Sequence, residues 1–205
     1  MKKIYIIVVI IGFLSLNANE VEITKGMPHV NVKANGKKYK IERTQDKDAY
    51  LTNTFALTSR PSPPFFIEPF EINKNVKTYG ELEVLDFISK GKGLFIDARL
   101  ENWFKKSAIP TAINIPFKLF LSESKERKKI LNDLGGKYKK NGTWDFSNAK
   151  IILLYCNGAW CGQSPTAIKA LMDIGYPEEK MKYYRGGMQA WQLLGLTTIV
   201  PGGEK

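Results

Sequence analysis

The fold class is indicated most clearly by one stretch, which reads Ile151-Ile152-Leu153-Leu154-Tyr155-Cys156-Asn157-Gly158-Ala159-Trp160-Cys161-Gly162-Gln163-Ser164-Pro165. Residues 151–155 form the most apolar run outside the N-terminus, which is typical of a buried central strand of a parallel sheet. A glycine-containing loop follows, and residues 165–174 alternate as a helix that Gly175 ends. Cys156 therefore lies at the sheet edge where open α/β folds bind ligands.

The neighbouring residues continue the alternation of strands and helices. Residues 94–96 and 181–184 predict further strands, and residues 122–134 and 188–194 predict helices. Another helix is expected after Thr78, because Thr78 and Glu81 have the spacing of a capping box. The pattern favours an α/β fold with a central parallel sheet flanked by helices, over a domain of residues 76–201.

Residues 19–75 predict an N-terminal extension. Two alternating segments, 30–34 and 39–43, flank Asn35-Gly36, which is a strong signal for a β-hairpin. Residues 60–69 contain four prolines and predict an extended Pro-rich linker, since proline interrupts helices and central strands. The linker's Phe65 and Phe66 are expected to pack on the domain that follows.

Residues 1–18 have the pattern of a secretory signal peptide. Two lysines precede an apolar run over residues 4–16, which is shorter than the roughly 20 residues that span a bilayer. We expect cleavage after Ala18, although Leu16 is larger than the usual residue at its position, and the alternative is an uncleaved membrane anchor. The pattern suits export to a bacterial periplasm, without stable membrane insertion.

The composition restricts the chemistry to that of a thiol. The 205 residues include one histidine, His29, which excludes sites with several imidazoles and nearly excludes Ser-His-Asp or Cys-His catalysis. Cys156 and Cys161 are the only cysteines, too few for a four-ligand metal cluster, so we expect neither metal nor cofactor.

The charge favours small anionic partners. The net charge is +11, and it falls to +9 without residues 1–18, which contain two lysines. Because the basic residues are scattered along the chain, nucleic-acid binding is not expected.

The loop after the central strand suits a thiolate. Its main-chain N–H groups and the helix N-terminus favour a negative charge, either on a thiolate or on a bound anion. We therefore predict that Cys156 is the nucleophile, and that the loop binds substrate through Asn157, Gly158, Ala159, Trp160, Cys161 and Gly162. The alternatives are a buried structural cysteine beside a spare one and a stabilising disulfide.

Three segments together resemble the rhodanese family of sulfurtransferases, over roughly residues 78–200. They are Asp97-Ala98-Arg99 with residues 108–116, the Cys156 loop with its helix, and residues 184–191 with Gly186, Gly187 and Trp191. The resemblance implies a small rhodanese fold in which Cys156 accepts a sulfane sulfur as a persulfide. The donor would be a small thiosulfate-like anion, and the acceptor cyanide or a thiol, including a protein thiol.

The resemblance also suggests roles for three charged residues. Arg185 precedes the glycine pair and is predicted to be a cation at the substrate pocket, with a salt bridge inside the fold as the alternative. Asp97 and Arg99 are expected to hold the architecture of the loop rather than to touch substrate.

The chain departs from the family pattern at three points. Ser164 follows Cys156 by eight positions, about two more than in the family, so a bulkier donor or a protein acceptor could fit. Ala108 stands in place of a histidine of the first signature. Cys161 lies inside the loop, so it could resolve a Cys156 persulfide or close a disulfide with Cys156.

Two other functions remain open from the sequence. One is a non-catalytic rhodanese-fold module for binding or sulfur carriage. The other is a thioredoxin-like thiol-disulfide oxidoreductase, because Trp160-Cys161-Gly162 imitates its motif, although Ser164 stands where the second cysteine would be. A cysteine phosphatase is excluded, because Gly162 occupies the position of the arginine it needs.

Overall fold

The computed structural model describes residues 21–58 and 66–202. In chain order the elements are β1 (His29–Ala34), β2 (Lys37–Glu42), β3 (Lys77–Tyr79), α1 (Glu81–Ser89), β4 (Leu94–Asp97), α2 (Glu101–Lys106), β5 (Ile113–Asn114), α3 (Lys125–Asp133), β6 (Lys137–Tyr138), β7 (Trp144–Asp145), β8 (Ile152–Tyr155), α4 (Gln163–Asp173), β9 (Met181–Tyr184) and α5 (Gly187–Leu193). Short 3₁₀ turns occupy Thr54–Ala56, Phe117–Phe120 and Glu178–Lys180.

The centre of the molecule is a five-stranded parallel sheet in the order β3-β9-β8-β4-β5. Strand β8 lies in the middle and is buried over its whole length. Ile152 and Leu154 join the core cluster on one face, while Leu153 and Tyr155 join the cluster on the other. Because both faces of β8 are covered, its side chains are apolar without alternation. The predicted α/β class and the central strand are confirmed.

Helix α1 begins differently from the expectation. Thr78 lies in β3, and its hydroxyl donates to the carbonyl oxygen of Phe70 at 2.7 Å. The N-cap is Gly80, whose N–H donates to the Glu83 carboxylate at 3.0 Å. The predicted Thr78–Glu81 capping box is therefore wrong, because sheet pairing with β9 takes Thr78 away from the helix end.

The N-terminal hairpin is confirmed and is part of the core. Strands β1 and β2 pair antiparallel around Asn35 and Gly36, which adopt the positive φ angles of 48° and 75° that such a turn requires. Val32 and Ile41 share a core cluster with Trp191 of α5. The extension is thus anchored on the α1–α5 face of the sheet by buried apolar contacts.

Two segments predicted from the sequence lie wholly or partly outside the residues that the structure describes. These are the predicted signal peptide, 1–18, and residues 60–65 of the Pro-rich linker, Phe65 included. Phe66 is 57% exposed, so the expectation that it packs on the domain is wrong. Within residues 21–58 and 66–202, none of the helices combines the length and apolar character needed to cross a membrane.

Candidate functional site: a buried pair of thiols

Cys156 lies directly after β8, where the strand delivers it to the N-terminus of α4. The Ser164 hydroxyl donates to Cys156 Sγ at 3.1 Å, and the main-chain N–H of Ser164 donates to the same sulfur. These two donors come from the first turn of α4, whose N–H groups have no partner inside the helix. These donors stabilise a negative charge on Cys156 once its proton has left.

Cys161 lies against Cys156 at the same helix N-terminus. A turn closed by the Cys161 N–H and the carbonyl oxygen of Gly158, at 2.9 Å, folds the loop back. The Cys161 sulfur accepts hydrogen bonds from Asn157 Nδ2 at 3.7 Å and from the main-chain N–H groups of Asn157 and Gln163. Both cysteines are free thiols, with exposed fractions of 2% for Cys156 and 0% for Cys161.

The two thiols differ in pKa. Burial raises the pKa of the Cys156 thiol well above its usual range. The thiol also donates to the carbonyl oxygen of Cys161, 2.9 Å from Sγ, which favours the protonated form. The hydrogen bond between the two thiols lowers the pKa of Cys161 to about 7, and the amide donors act in the same direction. Of the two thiols, Cys161 is therefore the one that loses its proton first as the pH rises.

The loop is fastened to the N-terminus of α5. The carbonyl oxygens of Cys156 and Asn157 accept from the N–H groups of Met188 and Gln189, at 3.0 and 2.9 Å. The Gln189 side chain also accepts from the Trp160 indole N–H at 2.6 Å. Gln189 thus holds the loop at two places, and its position could not be found from a sequence motif.

Residues 66–70 form a cover segment over the loop. The Glu68 N–H donates to the carbonyl oxygen of Ala159 at 2.8 Å. The Arg185 guanidinium donates to the carbonyl oxygens of Glu68 and Pro69, at 2.7 to 3.1 Å. The Glu68 carboxylate lies beside Gly162, 2.9 Å from the place a β-carbon would take there. In this arrangement Arg185 secures the cover segment, and its role as a substrate-binding cation stays a prediction.

Asp97 and Arg99 form a buried ion pair at the end of β4, beside β8. Arg99 Nε and Nη2 donate to the Asp97 carboxylate at 2.6 to 3.0 Å, and Nη2 also donates to the carbonyl oxygen of Ser107. Both residues are nearly inaccessible to solvent. These contacts join the end of β4 to Ser107 after α2, and the expectation that Asp97 and Arg99 hold the architecture of the loop stays a prediction.

The predicted loop residues, 157–162, lie together with Cys156, but they differ in accessibility. Asn157 and Gly158 are buried, whereas Ala159, Trp160 and Gly162 are partly exposed. Trp160 and Gln189 also line a groove of about 1090 Å³ that runs along α5 and residues 43–58. Among the described residues, no cluster of three or more His, Cys, Asp or Glu side chains could hold a metal ion.

Sequence reasoning missed Ser164 and Glu68 as site residues. Ser164 could have been found, because the family loop ends in a serine before the helix. Glu68 had no such signal, since only the fold brings residue 68 to the loop.

Comparison with known proteins identifies one family. The family model described as "Rhodanese-like domain" matches residues 82–194. A curated relative, an HTH-type transcriptional regulator of Mycobacterium tuberculosis, is 30% identical over 114 residues. This match covers 56% of the chain and 41% of the regulator, so the chain spans about two fifths of that relative's length.

Solved structures of low sequence identity are also similar. A human single-domain sulfurtransferase is 16% identical, with a TM-score of 0.40, and the match covers 58% of this chain and 96% of that one. A single-domain sulfurtransferase of Saccharomyces cerevisiae is 22% identical, with a TM-score of 0.42 and coverage of 58% and 90%.

Proposed function

The chain belongs to the rhodanese-like domain family, and on that premise we propose that it is a sulfurtransferase that carries a sulfane sulfur as a persulfide on Cys156. The observation that carries this proposal is the position of Cys156 at the end of β8, with the hydroxyl and N–H of Ser164 donating to its sulfur. A persulfide is anionic, so the same donors would stabilise the intermediate. The central sheet of this chain is parallel throughout, which is not the arrangement of the thioredoxin-like fold considered from the sequence.

The reaction has two steps. With thiosulfate as donor, the Cys156 thiolate attacks the outer sulfur, the sulfur–sulfur bond breaks, and sulfite leaves with the electron pair. In the second step the nucleophilic acceptor, cyanide or a thiolate, attacks the outer sulfur of the persulfide and restores the Cys156 thiolate. The resting proton of Cys156 must leave first, and Cys161 is a base already in contact with it.

The proposal is tested by thiocyanate formation from thiosulfate and cyanide. Cys156→Ala should reduce the rate to that of the uncatalysed reaction, whereas Ser89→Ala, which changes an exposed side chain at the end of α1, should leave it unchanged. A wild-type chain that is folded but forms no thiocyanate and takes up no sulfur would favour the non-catalytic binding or carrier module. Activity in Cys156→Ala within about tenfold of wild type would mean that another group is the nucleophile.

We also propose that the protein is an exported, periplasmic protein of a bacterium, without stable membrane insertion. Its support is the basic start and short apolar run of residues 1–18. N-terminal sequencing of the protein from a periplasmic extract should begin at Asn19. Recovery of the full-length chain in the membrane fraction would support the alternative of an uncleaved anchor.

A further inference from the structure

Sulfur transfer through a Cys156 persulfide requires one thiol, whereas the site contains two. Cys156 Sγ lies 2.9 Å from the carbonyl oxygen of Cys161, and the turn between Gly158 and Cys161 holds the two residues together. The chain contains no other cysteine. A sulfur placed on Cys156 therefore has a second thiol beside it before any acceptor arrives.

Cys161 is also prepared to act as a nucleophile. Its sulfur accepts from Asn157 Nδ2 and from the N–H groups of Asn157 and Gln163, which are donors that stabilise a thiolate. Because Gln163 N–H serves Cys161 and Ser164 N–H serves Cys156, one helix N-terminus supports both sulfurs. Either sulfur can therefore carry the negative charge and remain hydrogen-bonded to this helix N-terminus.

An external thiol reaches this place with difficulty. Cys156 is 2% exposed, and the cover segment, residues 66–70, is fastened over the loop through Ala159 and Arg185. A thiol acceptor from solvent has to reach a sulfur that is almost fully buried, whereas Cys161 needs no approach at all. Reactions between groups already held in contact have effective molarities far above any concentration of a free thiol.

We propose that Cys161 resolves the Cys156 persulfide, so that the protein reduces sulfane sulfur to hydrogen sulfide and closes a Cys156–Cys161 disulfide. The inference rests on the proposed function, because it begins from the Cys156 persulfide. It adds an activity and a partner of stated chemistry: a dithiol reductant that returns the disulfide to two thiols.

The step balances within the site. Cys161 gives its proton to the outer sulfur of the anionic Cys156 persulfide, and the resulting Cys161 thiolate attacks Sγ, so that the Cys156–Cys161 sulfur–sulfur bond forms. The bond from Sγ to the outer sulfur breaks, and that sulfur leaves as hydrosulfide with its electron pair and the persulfide proton. The two cysteine sulfurs are oxidised together by two electrons, and the sulfane sulfur is reduced by two.

The experiment is a single turnover of the reduced full chain with thiosulfate, without reductant or cyanide. Released sulfide and the mass of the intact protein are measured together. Wild type should release one sulfide per chain and lose two hydrogen atoms. Cys161→Ser should retain one added sulfur and release no sulfide, and Cys156→Ser should do neither. Cys161→Ala should repeat the result for Cys161→Ser, and circular dichroism checks that each variant is folded.

The results separate this inference from the proposed function. Wild type that keeps the added sulfur and releases no sulfide overturns the resolving role, while the Cys156 persulfide stands. Failure of both wild type and folded Cys161→Ser to take up sulfur overturns the proposed function and the inference together. Sulfide release by Cys161→Ser equal to that of wild type also overturns the resolving role.

Discussion

Replacing Gly187 by alanine should lower both the stability of the fold and the activity of the site. Gly187 has a φ of +55°, which L side chains rarely adopt. A β-carbon there would collide with the carbonyl oxygen of Cys156, and it would lie 2.7 Å from the nitrogen of Gly158 and 2.9 Å from the carbonyl carbon of Asn157. All three atoms belong to the main chain of the nucleophile loop, so no side-chain rotation can relieve the collision.

The expected cost of Gly187→Ala has two parts. The left-handed conformation costs roughly 1–2 kcal/mol for a residue with a β-carbon. Overpacking against fixed neighbours adds about 1–3 kcal/mol. The variant should therefore lose roughly 2–5 kcal/mol of unfolding free energy. Gly175→Ala is the matched control, because Gly175 has a φ of +85° but open space around the added carbon. Gly175→Ala should lose only the roughly 1–2 kcal/mol that the left-handed conformation costs.

Thermal unfolding followed by circular dichroism measures the difference. One kcal/mol corresponds to about 2–4 °C in Tm for a chain of this size, so Gly187→Ala should melt clearly below Gly175→Ala. Gly187→Ala should also form thiocyanate about a hundredfold more slowly at a temperature where it is folded, because its collision moves the loop that carries Cys156. Equal Tm values for the two variants, with wild-type activity in Gly187→Ala, would refute the reasoning.

Three further predictions concern charge. Asp97→Ala leaves the Arg99 guanidinium buried without its partner, so urea unfolding should show a loss of about 3–5 kcal/mol, and a loss below 1 kcal/mol would contradict this. Glu68→Gln should speed single-turnover sulfur loading from thiosulfate by about twofold to tenfold, because it removes a negative charge that repels the anionic donor beside the loop. The control Glu71→Gln removes an exposed charge from the same stretch and should not change the rate. The pKa of Cys161, lowered to about 7 by its hydrogen bond with Cys156, belongs to the resting pair, in which Cys161 is the base for the Cys156 proton. The rate of single-turnover sulfur loading should therefore rise through pH 7 and level off above it, and a rate independent of pH from 6 to 9 would oppose the assignment.

The sheet and the position of the nucleophile could be predicted from local patterns. An apolar run as continuous as residues 151–155 is stable only when both faces of the strand are covered, which places it at the centre of a parallel sheet. Asn35-Gly36 predicted its hairpin because the turn needs positive φ at both positions. In each case, the pattern that predicts the structure extends over only a few consecutive residues.

What could not be predicted depends on contacts between distant residues. Arg185 donates to residues 116 and 117 positions away, and nothing near it in the sequence indicates this. Thr78 and Glu81 have capping-box spacing, but pairing of β3 with β9 overrides the local preference. The unequal acidity of Cys156 and Cys161 depends on the burial of Cys156 and on the hydrogen bond between the two thiols, and the spacing of two cysteines does not specify either.

The most direct measurement of the central claim is the site of sulfur attachment in the Cys161→Ser and Cys156→Ser variants. Trypsin cleavage after Lys150 and Lys169 yields one peptide, residues 151–169, that contains both cysteine positions. After a single turnover with thiosulfate, tandem mass spectrometry of this peptide from Cys161→Ser should locate one added sulfur on Cys156, and the peptide from Cys156→Ser should carry none. Sulfur found on Cys161 in Cys156→Ser, with none on Cys156 in Cys161→Ser, would contradict the account.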